Sequence, residues 1–184
     1  MGLVPRPARF HVLAGVLVSL AVSLAVAAPA SAAPCKHRNL KPTTSNLSKV
    51  RSAVRCLVNR ERSSRGIAKL KYSGALTKAA QSHSKNMVSM DFFDHVAPNA
   101  STPQSRANAA GYPGSFLGEN IAWGSGTLGS PARIVTAWMG SPDHRANILK
   151  PDFRSIGIGI ADGAPRPTRG LDAATYTTDF GRKS

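Results

Sequence analysis

The chain has 184 residues, with 24 Lys and Arg against 9 Asp and Glu, a formal net charge of +15 at neutral pH. A chain of this length holds one domain around one core, and two cysteines are too few for a closed cysteine-rich metal centre. Beyond Arg6 and Arg9, basic residues run from Lys36 to Lys183 with no dense block and no recognised nucleic-acid motif, so the charge does not point to DNA or RNA.

The first segment predicts a compartment. Arg6 and Arg9 form a short positive region, residues 10–28 carry no Lys, Arg, Asp or Glu, and Ala30-Ser31-Ala32 closes the stretch with a small-x-small pattern. That pattern predicts a signal peptide over 1–32, cleaved after Ala32. A retained membrane anchor is the rival, but the small-residue exit and the lack of a basic stop-transfer cluster argue against it. Residues 33–184 then carry 22 basic and 9 acidic residues and are expected to be secreted, with no stable membrane span after cleavage. An exported cation meets anionic envelope polymers, lipid or acidic glycans; the bland alternative is charge that confers only solubility. Outside the cytoplasm Cys35 and Cys56 are expected to bridge, closing a loop of about 20 residues and contributing about 3 kcal/mol. Ligation of a metal with the nearby His37 would need two further cysteines.

Residues 33–45 read as a polar, aperiodic tail ahead of a domain over 46–184. Leu47, Val50, Val54, Leu57 and Val58 predict an amphipathic helix capped by Thr44 or Ser45, with Gly66 beyond its end. Leu76, Ala79, Ala80, His83, Met87 and Met90 predict a second helix behind a Ser73 cap. Ser101-Thr102-Pro103 predicts a short turn, and residues 118–124 a short strand or tight turn. Ser130-Pro131 and Ser141-Pro142 each predict a helix start, with a capping hydroxyl before a first-turn proline. Ile156, Ile158 and Ile160 alternate with glycine, the pattern of a strand closely approached on its other face. Residues 174–180 predict a second strand across a loop at 163–171. Helices precede the strands, which is an α+β plan.

Three segments could carry chemistry: Asp91-Phe92-Phe93-Asp94-His95, Gly118-Glu119-Asn120, and Trp138 to Leu149. The two phenylalanines suggest a histidine ring anchored beside a cleft. In the third segment Ser141 caps, Pro142 opens the helix, and His144 sits in the first turn, where the positive helix end disfavours its protonation. Neutral imidazole is the form that binds metals or acts as a base. Blander readings stand beside these. His83 on an apolar stripe reads as a satisfied buried histidine, Glu119 could bond backbone in a turn, and the helix dipole explains Asp143. Arg145 and Asn147 could do no more than tie down loops, and Ser141, spent on capping, is a poor nucleophile.

Taken in order, these segments resemble the motifs of the CAP superfamily, the cysteine-rich secretory, antigen 5 and pathogenesis-related-1 proteins, in its bacterial branch. Cys56 to Arg62 resembles the opening helix and Leu76 to Met87 the second. Phe92-Phe93-Asp94-His95, Gly118 to Ala122, Trp138 to Leu149 and Ile156 to Gly159 follow in the family's order. The resemblance implies an α-β-α sandwich around a central, mostly antiparallel sheet, with an open cleft. In that cleft the family places two histidines and two glutamates able to hold a divalent cation. His95, Glu119 and His144 match three of the four; Ser141 stands near the second glutamate, with Asp143 as a substitute. The expected function is a secreted binding module for a lipid-like or anionic cell-envelope ligand, with Zn²⁺ or another divalent cation held by His95 and His144. The alternative is a metal-assisted extracellular hydrolase or protease with Glu119 as the catalytic base.

Overall fold

The computed structural model describes Met1, Gly2 and residues 33–182. Apart from its first two residues, the predicted signal peptide lies outside the described residues. Pro34–Ser184 is one unit of the chain and carries every helix and strand described.

Helix α1, Leu47–Ser63, buries Val50, Ala53, Val54 and Val58 on one stripe, and with them Arg62. Its N-cap is Asn46, not Thr44 or Ser45, and no side chain caps it. The Asn46 carboxamide instead accepts from Thr43 N at 3.0 Å and donates to Lys41 O at 3.0 Å, so it shapes the approach to the helix. Beyond the helix, Gly66 takes φ +70°, a left-handed conformation that glycine adopts without a Cβ penalty.

A two-residue strand, β1 (Lys71–Tyr72), is too short to leave a periodic signal. Helix α2, Gly74–Ser89, follows with Ser73 Oγ accepting from Leu76 N at 3.3 Å. Leu76, Ala79, Ala80, His83 and Met87 are buried as predicted, whereas Met90 lies past the helix end and is exposed. The segment read as a turn at Thr102 is a helix, α3 (Pro103–Ala109), opened by a capping box between Thr102 and Ser105. β2 runs for ten residues, Phe116–Ser125, longer than the sequence indicated. Its hydrophobic alternation is broken by Glu119 and Asn120, which hid its length.

After a 3₁₀ turn (Gly126–Gly129), α4 (Pro131–Gly140) and α5 (Pro142–Leu149) both begin on proline. Ser130 and Ser141 occupy the N-cap positions in extended conformation, yet neither side chain makes a capping bond. The expected capping role of the Ser141 hydroxyl is therefore corrected. Proline at N1 has no N–H to satisfy, so part of the need for a cap disappears.

β3 (Ser155–Asp162) and β4 (Ala173–Arg182) complete a four-stranded sheet in the order β1-β3-β4-β2. Only the β1–β3 pair is parallel. α2 and α3 pack on one face and α1, α4 and α5 on the other, an α-β-α sandwich within an α+β fold. The larger core lies on the α1/α4/α5 face, where Val50, Val54, Trp138, Phe153, Ile156, Ile160 and Phe180 meet; each such side chain contributes about 1.5–3 kcal/mol of burial. Cys35 and Cys56 form a disulfide, and Arg38 O accepts from Ala132 N at 2.8 Å. The predicted tail is thus tied to both α1 and α4.

Candidate functional cleft

β2 is an outer strand, and successive residues of a strand face opposite sides of the sheet. Glu119 faces the α2/α3 side and Asn120 the α4/α5 side, and each holds one of the two candidate histidines, His95 and His144. Glu119 Oε1 accepts from His95 Nδ1 at 2.7 Å. Asn120 Nδ2 donates to the backbone carbonyl of His144 at 2.9 Å. Gly118 allows the second contact, because a Cβ there would stand 2.8 Å from Asn147 Oδ1 and 2.9 Å from Phe153 Cζ. Asn147 then donates to Glu119 O at 3.2 Å and to Asn120 Oδ1 at 2.9 Å. The Gly-Glu-Asn triplet is therefore a bracket: glycine admits α5, and the next two side chains fix one histidine on each side of the strand. Asn147 ties α5 to β2, in line with its blander reading.

Glu119 is almost wholly enclosed, its side chain 2% exposed, while that of His95 is 47% exposed. Its second oxygen accepts from Arg106 Nη2 at 2.7 Å. Arg106, on α3, also donates to Ser101 O at 2.7 Å and to His95 O at 3.0 Å, so it anchors the backbone of the histidine as well as the carboxylate. Burial opposes ionisation of Glu119, but the His95 hydrogen bond and the charge and hydrogen bond of Arg106 outweigh it and hold its pKa below the usual value. The same hydrogen bond raises the pKa of His95 against the opposing effect of its own burial. Because Nδ1–H is committed to Glu119, Nε2 is the atom of the His95 ring left for a ligand, a metal or a proton.

His83 is buried behind this pair. Its Nε2 donates to Asp94 O at 2.9 Å and lies 3.9 Å from Glu119 Oε1. Nδ1 has no hydrogen-bond partner, so the expected satisfied histidine is satisfied on one side only. Burial foremost lowers its pKa and keeps it neutral. Phe92 packs its ring on His83, centroids 5.7 Å apart, so the aromatic anchor predicted for His95 serves the buried histidine instead.

His144 is half-buried on the first turn of α5, and Asp143 beside it is exposed. Burial lowers the pKa of His144 first, the charge of His95 lowers it next, and Asp143 acts in the opposite sense. The two cleft histidines are close enough to feel each other's charge. Among the described residues no group of three His, Cys, Asp or Glu side chains is placed to hold a metal ion.

Two members of the constellation carry no signal in the sequence. Arg106 is an arginine in a short polar helix, and only the fold brings it to Glu119. Asp179 is fully buried directly across the β2–β4 ladder from Glu119. Burial, and then the adjacent Glu119 charge, hold its carboxyl well above the usual range and favour its protonated form beside Glu119.

Comparison with known proteins agrees with this architecture. A Bacillus subtilis (strain 168) protein described as the uncharacterized protein YkwD is 36% identical over 136 residues, covering 72% of this chain and 52% of its own length. An extracellular protein containing a SCP domain from Bacillus anthracis str. Ames superposes with a TM-score of 0.64 at 25% identity, over 77% of this chain and 44% of that one. An outer surface protein from Borrelia burgdorferi shares the fold with a TM-score of 0.60 at 19% identity, over 78% of this chain and 96% of its own. The chain spans about half the length of the curated relative YkwD. Residues 56–177 match the family described as CAP: Cysteine-rich secretory protein family, and with helices on both faces of the sheet and relatives of the same kind, the chain belongs to that family.

Proposed function

We propose that the protein is an extracellular binding module that takes a lipid-like or anionic cell-envelope ligand in the His95–His144 cleft. The observation that carries this reading is the double engagement of Glu119 by His95 and Arg106. A carboxylate spent in this way orients a histidine and makes its ring more basic; it is poorly placed to take a proton from a water molecule. Kinship with an extracellular SCP-domain protein supports the compartment.

His95 and His144 would hold a divalent cation through their ring nitrogens, and the carboxylate behind His95 Nδ1 is the arrangement that orients metal-binding imidazoles. Two imidazoles fall short of the three protein ligands of a catalytic zinc site. They fit a Zn²⁺ or similar ion whose other positions are filled by water or by the ligand. When bound, such an ion supplies positive charge toward an anionic headgroup. A second reading, metal-assisted hydrolysis or proteolysis with Glu119 as the base, would need Glu119 released from His95 or Arg106.

Calorimetric titration of metal-stripped protein with Zn²⁺ is expected to show one saturable event, lost in both His95→Ala and His144→Ala. Binding to vesicles of envelope lipid extract is expected to fall on adding chelator and in either variant. Zn²⁺ binding that survives His95→Ala would remove the cation from the cleft, and vesicle binding unchanged in both variants would remove the ligand. Ester or peptide turnover abolished by His95→Ala would replace the binding module with the hydrolase.

A further inference from the structure

At the edge of the sheet opposite the cleft, β1 borders two adjoining hollows that share Tyr72. The larger, of about 770 Å³, is lined by Lys69, Lys71, Arg154 and Arg182. The smaller, of about 310 Å³, is lined by Arg51 and Arg55 of α1. Six cationic side chains therefore border the pair, a two-part groove with Tyr72 in the wall of each hollow, and Asp152 is the only carboxylate among its lining residues. None of the ion pairs among the described residues involves any of the six cations. Arg51 is tethered to Gln81 Oε1 at 2.7 Å, and Arg154 donates to the carbonyl groups of Pro151 and Phe153. All of these acceptors are uncharged, so none of these contacts is an ion pair.

Tyr72 stands where the hollows meet. Its side chain is among the exposed large hydrophobics, at 59%, and the Arg55 guanidinium lies 5.9 Å from the centre of its ring, within the range of a cation–π contact. An exposed aromatic face flanked by cations suits a chain in which flat, apolar C–H faces alternate with negative charges. A sugar ring carrying carboxylate, sulfate or phosphate groups has that chemistry. A bilayer surface suits it less: the groove is concave, and the other exposed large hydrophobics of the folded unit, Met90, Val96, Leu128 and Leu171, border neither hollow.

We propose that this groove is a binding site for a linear acidic glycan, with a sugar ring on Tyr72 and its anionic groups on the cations to either side. The site uses none of the residues of the His95 cleft and shares with the proposed function only the extracellular setting. It also gives part of the basic excess of the chain a definite place, since like charges gathered in one concavity repel until an anion enters.

Fluorescein-labelled polygalacturonate, titrated with the protein and followed by anisotropy, tests the assignment. Saturable binding that weakens as salt rises is expected, with a loss of about tenfold or more in Lys69→Glu/Lys71→Glu. Tyr72→Ala is expected to weaken binding severalfold, and His95→Ala to leave it unchanged. Lys85→Glu/Arg133→Glu makes the same change in net charge at exposed positions on α2 and α4 that line neither hollow and is expected to cost about twofold or less. Equal losses in the two double variants would show diffuse attraction and overturn the site. A loss in His95→Ala matching that in Lys69→Glu/Lys71→Glu would assign the polymer to the cleft instead. Absence of binding, or tighter binding to anionic vesicles or to an oligothymidylate of equal charge, would overturn the glycan assignment. Near-ultraviolet circular dichroism checks that each variant is folded, and Arg182→Glu serves as the replacement should Lys69→Glu/Lys71→Glu fail that check.

Discussion

A buried carboxylate stays ionised only where its partners outweigh the loss of water, and Glu119 meets that condition through His95 and Arg106. The sign of each shift sets a pH window. His95 has its folded pKa raised, so its bond to Glu119 contributes stability that is fully present below the unfolded value of about 6.5 and is lost as pH rises through the folded value. Glu119 has its folded pKa lowered, so its contribution is present above the unfolded value of about 4.3 and is lost as pH falls through the folded one. Glu119→Gln keeps the shape and removes the charge. The His95 pKa, read from imidazole proton shifts, is expected to fall toward its ordinary value in this variant. Arg106 would lose its charge partner in a buried site, and stability is expected to drop by about 3 kcal/mol in urea denaturation. A His95 titration identical in the two proteins would show that the pair does not form in solution.

Two contacts between elements place the site. Gly157 and Gly159 lie where α2 crosses β3, and a Cβ at Gly159 would stand 2.2 Å from Ala80 C and Ala80 O in the helix backbone. Backbone cannot rotate away as a side chain can, so Gly159→Ala is expected to cost about 3 kcal/mol, measured as a shift in the denaturation midpoint. Gly140→Ala, whose Cβ would meet nothing within 4 Å, is the matched control and is expected to change stability by less than about 1 kcal/mol. Equal costs would mean that the helix stands off the strand. On the other face Arg62, fully buried, donates to Ala68 O, Ile148 O, Lys150 O and Phe153 O at 2.8–3.2 Å. It fastens the end of α1 to the end of α5, the helix that carries His144. The CAP-like opening helix thus contributes to the cleft through an arginine that never reaches it.

Across the whole unit, the disulfide connects residues 21 apart in sequence and restricts the unfolded chain more than it adds contacts. Cys35→Ser/Cys56→Ser is expected to lose about 3 kcal/mol, or roughly 10 °C in Tm, while the His95 imidazole shifts stay unchanged. A stability loss of that size accompanied by changed His95 shifts would show that the tail supports the cleft, and no stability loss would show that the Arg38–Ala132 tie is sufficient. Among the described residues no helix is long and apolar enough to cross a membrane.

Whatever a local pattern encodes was legible in the chain before folding. The apolar stripes of α1 and α2, the Ile-Gly alternation of β3 and the ordered motifs each depend on neighbours a few residues away, and they were enough to indicate the α+β plan and the resemblance to the CAP family. The Gly-Glu-Asn triplet and the two histidines were visible as candidates for the same reason. Which side chains meet was settled in three dimensions. Arg106 and Asp179 reach Glu119 from segments 13 and 60 residues away in the sequence, and Phe92 turned to His83 because α2 places that ring beneath it. The six cations of the groove come from α1, β1, β4 and the segments beside β1 and β3, so no block of charge marks them in the chain. Periodicity reports the direction a residue faces within its own element; only packing of one element on another fixes the partner it finds there.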